Sequence, residues 1–267
     1  RQTYVSGMAC KKCGEEFRGK ILEYAAYMLN HDLTDLSKTV YADQVKEAAG
    51  RLREALGLGA DEDVTAEMLD IVDSKVVVSG GDPVLFDVAV VADTAFYSLD
   101  RSVHITAEVT NHCKDNTFSS GCCFVEVEVD MPLGLVTVKD IVNVHDSGVL
   151  INPKTAAAQV HGGMSMGIGY ALTEEMKFDP KTGRLLNGNL LDYKMPTSMD
   201  HPELTALFVE TDDPSGPFGN KALGEPPTIP VAPAIRNAVL QATGVAVNTL
   251  PLSPQKLVEE FTRGGLI

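Results

Sequence analysis

The sequence predicts an α+β fold, with mixed sheets and helices packed on them, on three observations. The first 72 residues carry helix-like amphipathic runs, short β-type runs begin at Lys75, and from Asn152 onward helical and strand-like segments alternate without a low-complexity linker or tandem repeat. The expected division is a mainly helical opening, residues 1–72, followed by an α+β region, residues 73–267.

The opening contains an amphipathic run from Gly7 to Leu29, a second from Ala42 to Leu56, and a short one from Thr65 to Ile71 with Thr65 as its cap. KVVV at 75–78 reads as a strand and LFDVAVVADTAFY at 85–97 as a helix. VHITAEV at 103–109, FVEVEVD at 124–130 and LVTVKDIVNVHD at 135–146 read as strands. In FVEVEVD the acids Glu126, Glu128 and Asp130 alternate with valines, the pattern of a strand with one buried face, and Pro132-Leu133-Gly134 turns the chain into the next strand. Asn152-Pro153 opens a long helix from about Lys154 to Met176. NGNLLDYKMP at 187–196, ELTALFVE at 203–210 and a helix from Ile235 to Thr243 continue the alternation.

With 267 residues, 44% of them hydrophobic and 22% charged, the chain is long enough for one large core or two smaller ones. A net charge of −15 argues against nucleic acid or an anionic membrane as partner, because both select basic surfaces. No apolar run approaches the roughly 18 residues of a membrane span, and no signal-like segment opens the sequence, so the cytoplasm is the expected location. Arg1 leads at once into a helix-like pattern, which is expected of a piece of a longer protein.

Five cysteines form no disulfide framework. Cys10 and Cys13 have the spacing of a redox dithiol or zinc knuckle but lack a second ligand pair. Cys122 and Cys123 are adjacent within a strand and face opposite ways, so structural thiols are expected. His145 and His161 are metal-ligand candidates with Asp146, but their spacing is not repeated, and ordinary hydrogen bonding is the expectation.

Two strings carry chemistry. In NKALGEPPTIP (220–230), Gly224 permits unusual backbone angles, whereas Pro226 and Pro227 fix φ and remove two donors, so Glu225 has a stiff backbone with Lys221 as the only other charge. A carboxylate held among apolar neighbours has a raised pKa and a defined aim, as a general base requires. The segment alone leaves a second reading open, a loop glutamate capping the helix that begins near Pro230. In QVHGGMSMGIG (159–169), four glycines at 162, 163, 167 and 169 each cost roughly 1 kcal/mol in a helix interior. A small-residue face allows close approach by a neighbouring element or by a flat ligand, and Gln159, one turn earlier, offers both an amide donor and a carbonyl acceptor.

Taken in order, GCCFVEVEVD, NVHDSGVLINPKTAAAQVHGGMSMGIGYAL, LLDYKMPT and NKALGEPPTIPVAPAIRNA resemble the molybdenum-binding subunits of the xanthine dehydrogenase and aldehyde oxidase family of molybdenum hydroxylases, most closely the bacterial xanthine dehydrogenase type. The resemblance covers essentially the whole chain, which matches the carboxyl-terminal part of such a subunit and implies the second half of its molybdopterin-binding domain. It implies that Glu225 is the active-site base and that Gln159 lies beside the molybdenum. Arg1, Gln2 and Thr3 would meet the dinucleotide or pyrophosphate end of the pterin, where a helix amino terminus suits phosphate. Lys221, Ala222, Leu223 and Gly224 would line the site largely with main chain.

The implied reaction is hydroxylation of xanthine or hypoxanthine with oxygen from water, Glu225 taking the proton. The implied cofactor is a molybdopterin carrying molybdenum, as the cytosine dinucleotide. Electrons would leave through iron–sulfur clusters and FAD to NAD. The chain has neither cysteine clusters of iron–sulfur spacing nor a dinucleotide fingerprint, so those carriers are expected on FAD-binding and iron–sulfur partner subunits. The substrate-orienting residues are expected in the remainder of the molybdenum subunit, which leaves this chain alone an incomplete catalyst. Hydroxylation of an aldehyde, nicotinate or another heterocycle stays open, as does an inactive isolated domain.

Overall fold

The computed structural model describes residues 2–31 and 41–267 and resolves into two compact units, Met8–Asn111 and Arg1–Gly7 with His112–Ile267. Helices combine with one antiparallel and one mixed sheet, so the α+β architecture is the one expected.

Helix α1 (Gln2–Asn30) begins with residues of the larger unit and continues through the smaller one, which further contains α2 (Ala42–Leu56), β1 (Leu69–Val72), β2 (Lys75–Val78), β3 (Val84–Asp87) and α3 (Val88–Tyr97). In α2, Val45, Ala48 and Leu52 recur at helical spacing and are its buried residues. Gly57 ends the helix in the left-handed region at φ 67°. Strands β1, β2 and β3 pair antiparallel in that order, and Leu22, Met28, Leu52, Val76, Phe86 and Val91 belong to one apolar core.

Several expected elements take a different form. The helix expected over Thr65–Ile71 is a single 3-10 turn, Ala66–Met68, followed by β1. Leu69, Asp70, Ile71 and Val72 pair with residues of β2, and that ladder satisfies more backbone groups than a one-turn helix can. The run 85–97 divides into β3 and α3, and β1 pairs with β2 across the expected 72/73 boundary. VHITAEV forms no strand. Side chains of α1 hold it instead: Lys20 Nζ donates to the Thr106 carbonyl at 2.9 Å and Cys13 Sγ to that of Ala107 at 3.4 Å.

The larger unit is built on β4 (Ser120–Asp130), β5 (Leu135–Asp146) and β6 (Leu204–Phe208). Strands β4 and β5 form the expected hairpin, and β6 joins β5 in parallel after the crossover containing α4 (Pro153–Leu172). Cys123, Val125, Val127 and Val129 face the core, while Glu126, Glu128, Asp130 and Phe124 face outward. Asn152 caps α4, its Oδ1 accepting from the Thr155 amide at 3.1 Å, and Pro153 occupies the first turn, where a missing N–H is harmless. The helix ends at Leu172 and not Met176, and NGNLLDYKMP is irregular, its Asn187 amide bonding to Glu175 and Lys177. Helix α5 (Val231–Thr243) starts one turn before the expected Ile235. Helix α6 (Pro254–Arg263), which the pattern reading did not include, seals the core with Leu257 and Phe261. Among the described residues no helix is long and apolar enough to cross a membrane.

Candidate functional site

The site is assembled in the larger unit where β5 ends, α4 begins and the 220–230 loop crosses between them. After the register shift at Glu126/Val127, Ile141, Asn143 and His145 share the inward face of β5, and Ser147 follows them into the interior. Both His145 ring nitrogens are buried without a hydrogen-bond partner, and burial pushes its pKa down, leaving a neutral imidazole. Asp146 points elsewhere: its carboxylate accepts from Lys221 Nζ at 2.8 Å, Thr211 Oγ1 at 2.7 Å and the Gly148 amide at 3.0 Å. Burial raises its pKa, but these donors together outweigh burial and hold it below the usual carboxylate range.

The loop is tied down at every turn. The Lys221 amide donates to the Ser147 carbonyl at 2.7 Å, and the Ala222 carbonyl accepts from Ser119 Oγ at 2.5 Å. The Gly224 carbonyl accepts from Gln159 Nε2 at 2.8 Å, and the Pro227 carbonyl accepts from Asn143 Nδ2 at 2.8 Å. Glu225 and Thr228 close a turn through a 3.0 Å backbone bond, with the two prolines at its centre. Glu225 therefore has the constrained backbone expected of it. Its side chain is exposed among the described residues, not enclosed by apolar neighbours. It does not cap α5 either, whose N-cap is Pro230 with no side-chain cap bond.

Of the other residues singled out, Gln2, Thr3, Gln159, Lys221, Leu223 and Gly224 line one cleft of about 380 Å³. Ala222 and Glu225 are not among its lining residues, and Arg1 lies outside the described ones. The glycine face of α4 serves a neighbouring element: a Cβ on Gly163 would lie 2.5 Å from Pro227 Cβ, and one on Gly167 would collide with Val231. Gly162 faces open space. Cys10, Cys13, Cys122 and Cys123 are free, and burial raises the Cys123 thiol to about 11, as suits a structural role. Among the described residues no three His, Cys, Asp or Glu side chains converge on a metal position.

The pattern reading passed over Ser147 and Asn220, which also line the cleft, and Asn143 beneath the loop. Ser147 Oγ and Asn220 Oδ1 are buried without partners. A polar ligand with both donors and acceptors suits these atoms together with the amide of Gln159 and the amino-terminal turns of α1 and α4. A usable signal was present, since Asn143, His145 and Ser147 continue at period two the inward face that Ile141 begins.

Comparison with known proteins decides the family. The molybdopterin cofactor-binding domain model matches residues 1–202. The chain belongs to this family. This molybdopterin cofactor-binding domain chain is 42% identical over 267 residues to the xanthine dehydrogenase molybdenum-binding subunit of Escherichia coli O157:H7, covering 100% of the chain and 31% of that subunit. It is 39% identical over 139 residues to the aldehyde oxidoreductase molybdenum-binding subunit PaoC of Escherichia coli K12, covering 52% of the chain and 19% of that subunit. Among solved structures, quinoline 2-oxidoreductase from Pseudomonas putida 86 superposes with a TM-score of 0.66 at 27% identity, covering 83% of this chain and 29% of that one. The chain thus spans about a third of the length of the curated xanthine dehydrogenase subunit that it matches from end to end.

Proposed function

We propose that this chain is the part of a molybdenum hydroxylase that carries the active-site base, and that the whole enzyme hydroxylates xanthine or hypoxanthine. The observation that carries the reading is the cleft, where Gln2, Thr3, Gln159, Lys221, Leu223 and Gly224 meet beside the Glu225 turn. The 42% identity to a xanthine dehydrogenase subunit along the whole chain supports the purine substrate.

The molybdenum cofactor, when bound, supplies the two-electron oxidising centre. Gln159, Ser147 and Asn220 offer it hydrogen bonds, and the start of α1, at Gln2 and Thr3, suits the pyrophosphate of a cytosine dinucleotide form. The Glu225 carboxylate accepts the proton that the attacking water oxygen sheds as it bonds to the electron-poor ring carbon. The turn that holds Glu225 fixes its backbone, which reduces the conformational search left to the carboxylate. Iron–sulfur and FAD-binding partner subunits take the electrons onward to NAD, and the remainder of the molybdenum subunit encloses the Glu225 carboxylate and orients the purine.

Glu225→Gln in the assembled enzyme tests this assignment. Removing a general base lowers turnover by about 100-fold to 10,000-fold, here at unchanged molybdenum content. Retention of more than about a tenth of wild-type turnover at full loading would make Glu225 a structural residue. The 39% identity to an aldehyde oxidoreductase subunit favours a second substrate class, so xanthine, an aromatic aldehyde and nicotinate are assayed side by side. Preference for either of the last two would replace the purine assignment and keep the role of Glu225.

A further inference from the structure

Pro227 sits two residues beyond Glu225 inside the same turn, and two elements distant in sequence converge on it. From β5, Asn143 Nδ2 donates to the Pro227 carbonyl at 2.8 Å across 84 residues of chain, and Asn143 is fully buried. From α4, Gly163 is in such close contact that a Cβ there would lie 2.5 Å from Pro227 Cβ, 3.0 Å from its carbonyl carbon and 3.2 Å from the Thr228 nitrogen.

Neither residue is what its position would otherwise select. Asn143 lies between Ile141 and the buried His145 on the inward face of a strand, where a branched apolar side chain is favoured. Its Oδ1 is buried with no partner, so the amide carries an unmet desolvation cost while its other end makes the bond to Pro227. Gly163 is a glycine in a helix interior, the weakest choice there after proline. Both departures from local preference act on one carbonyl-bearing residue, and that residue is locked by its ring to the turn that begins at Glu225.

We infer that Asn143 and Gly163 are positioning residues that clamp Pro227 and thereby set the aim of the Glu225 carboxylate. The inference rests on the reading of Glu225 as the base. Neither residue lines the cleft, so the clamp acts through the turn and not on the cofactor.

The test uses the complete enzyme with Asn143→Leu, which keeps side-chain bulk and removes the donor, and separately Gly163→Ala, which displaces Pro227 by a methyl group. Misplacing a reacting group by about 1 Å costs on the order of 100-fold, so turnover at saturating substrate falls by about 10-fold to 100-fold, with KM within about threefold and molybdenum content unchanged. In a Glu225→Gln background the same substitutions lower the residual rate by less than about twofold, because there is no base left to aim. Leu252→Ala, a buried core change in the same unit, serves as the control that lowers stability without lowering turnover at full loading.

Three results would overturn the inference. They are turnover within about twofold of wild type in both variants, a loss that tracks molybdenum content, or a loss of the same factor with and without Glu225. Failure of Glu225→Gln to lower turnover sinks the base assignment itself. Collapse of Glu225→Gln beside unaffected Asn143→Leu and Gly163→Ala sinks the clamp alone.

Discussion

The two units bury different chemistry. In Met8–Asn111 the core is made of Leu, Val, Ile, Met, Ala and aromatic side chains, and its buried polar residues among those described are Thr94 and Ser98, of which Thr94 Oγ1 lacks a partner. The larger unit has an apolar core of similar make-up around Ile141, Met164, Ile235 and Phe261, yet it also buries Asn143, His145, Ser147, Asn187 and Asn220. Four of these five lie along β5 and its facing loop, beside the cleft and the Glu225 turn, and each of the four has a polar atom without a partner. A folded domain keeps few such atoms, because each one costs free energy that a hydrocarbon would not. The contrast teaches that the smaller unit is optimised for packing, whereas the larger one gives up stability along one strand face, where the site is built.

The largest effect should come from breaking the apolar side of this comparison. Leu52 is fully buried in the smaller unit, and Leu52→Ala should destabilise it by about 2–5 kcal/mol, read by urea unfolding of the intact chain. A change under about 1 kcal/mol would mean that this core is loosely packed. Next comes the ion pair between Lys221 and Asp146, whose side chains are 14% and 19% exposed. Lys221→Met should cost about 1.5–3 kcal/mol, as for hydrogen bonds to charged groups, and should loosen the loop that leads to Glu225. Because the folded pKa of Asp146 is depressed, its stabilisation is fully present above the unfolded carboxylate pKa and disappears as pH falls below it through the depressed folded value, so the variant should lose less stability on acidification.

The smallest effect should come from removing an unpaired polar group. At pH 7.5, His145→Leu should change stability by no more than about 1 kcal/mol in either direction, since it deletes two buried nitrogens that make no hydrogen bond. Its signature is pH dependence. Burial keeps the folded imidazole neutral, whereas the unfolded chain takes up a proton below about pH 6.5, so the wild type loses stability as pH falls from there toward the depressed folded pKa. Urea unfolding at pH 7.5 and 5.5 should show a smaller drop for the variant. Equal drops would mean that His145 is not the buried neutral group that distinguishes this core.

Much of this protein was determined by sequence alone, because the signals were local. Helix α2 follows from the spacing of Val45, Ala48 and Leu52 with Gly57 behind it, and the β4–β5 hairpin from period-two alternation around Pro132-Leu133-Gly134. The two chemical strings drew attention through residues that contradict their surroundings, a carboxylate between Gly224 and two prolines and four glycines in a helix. Only tertiary structure decided the rest. Residues 69–72 became a strand because β2 offers them a ladder, and 103–109 did not because α1 holds them with side chains, both competitions between segments that no single window contains. The cleft joins Gln2 to Gly224, and the clamp joins Asn143, Gly163 and Pro227. Such partners are dictated by sheet register and helix packing, which depend on long-range burial, so the sequence could name the residues that break local rules but not the neighbours that make breaking them worthwhile.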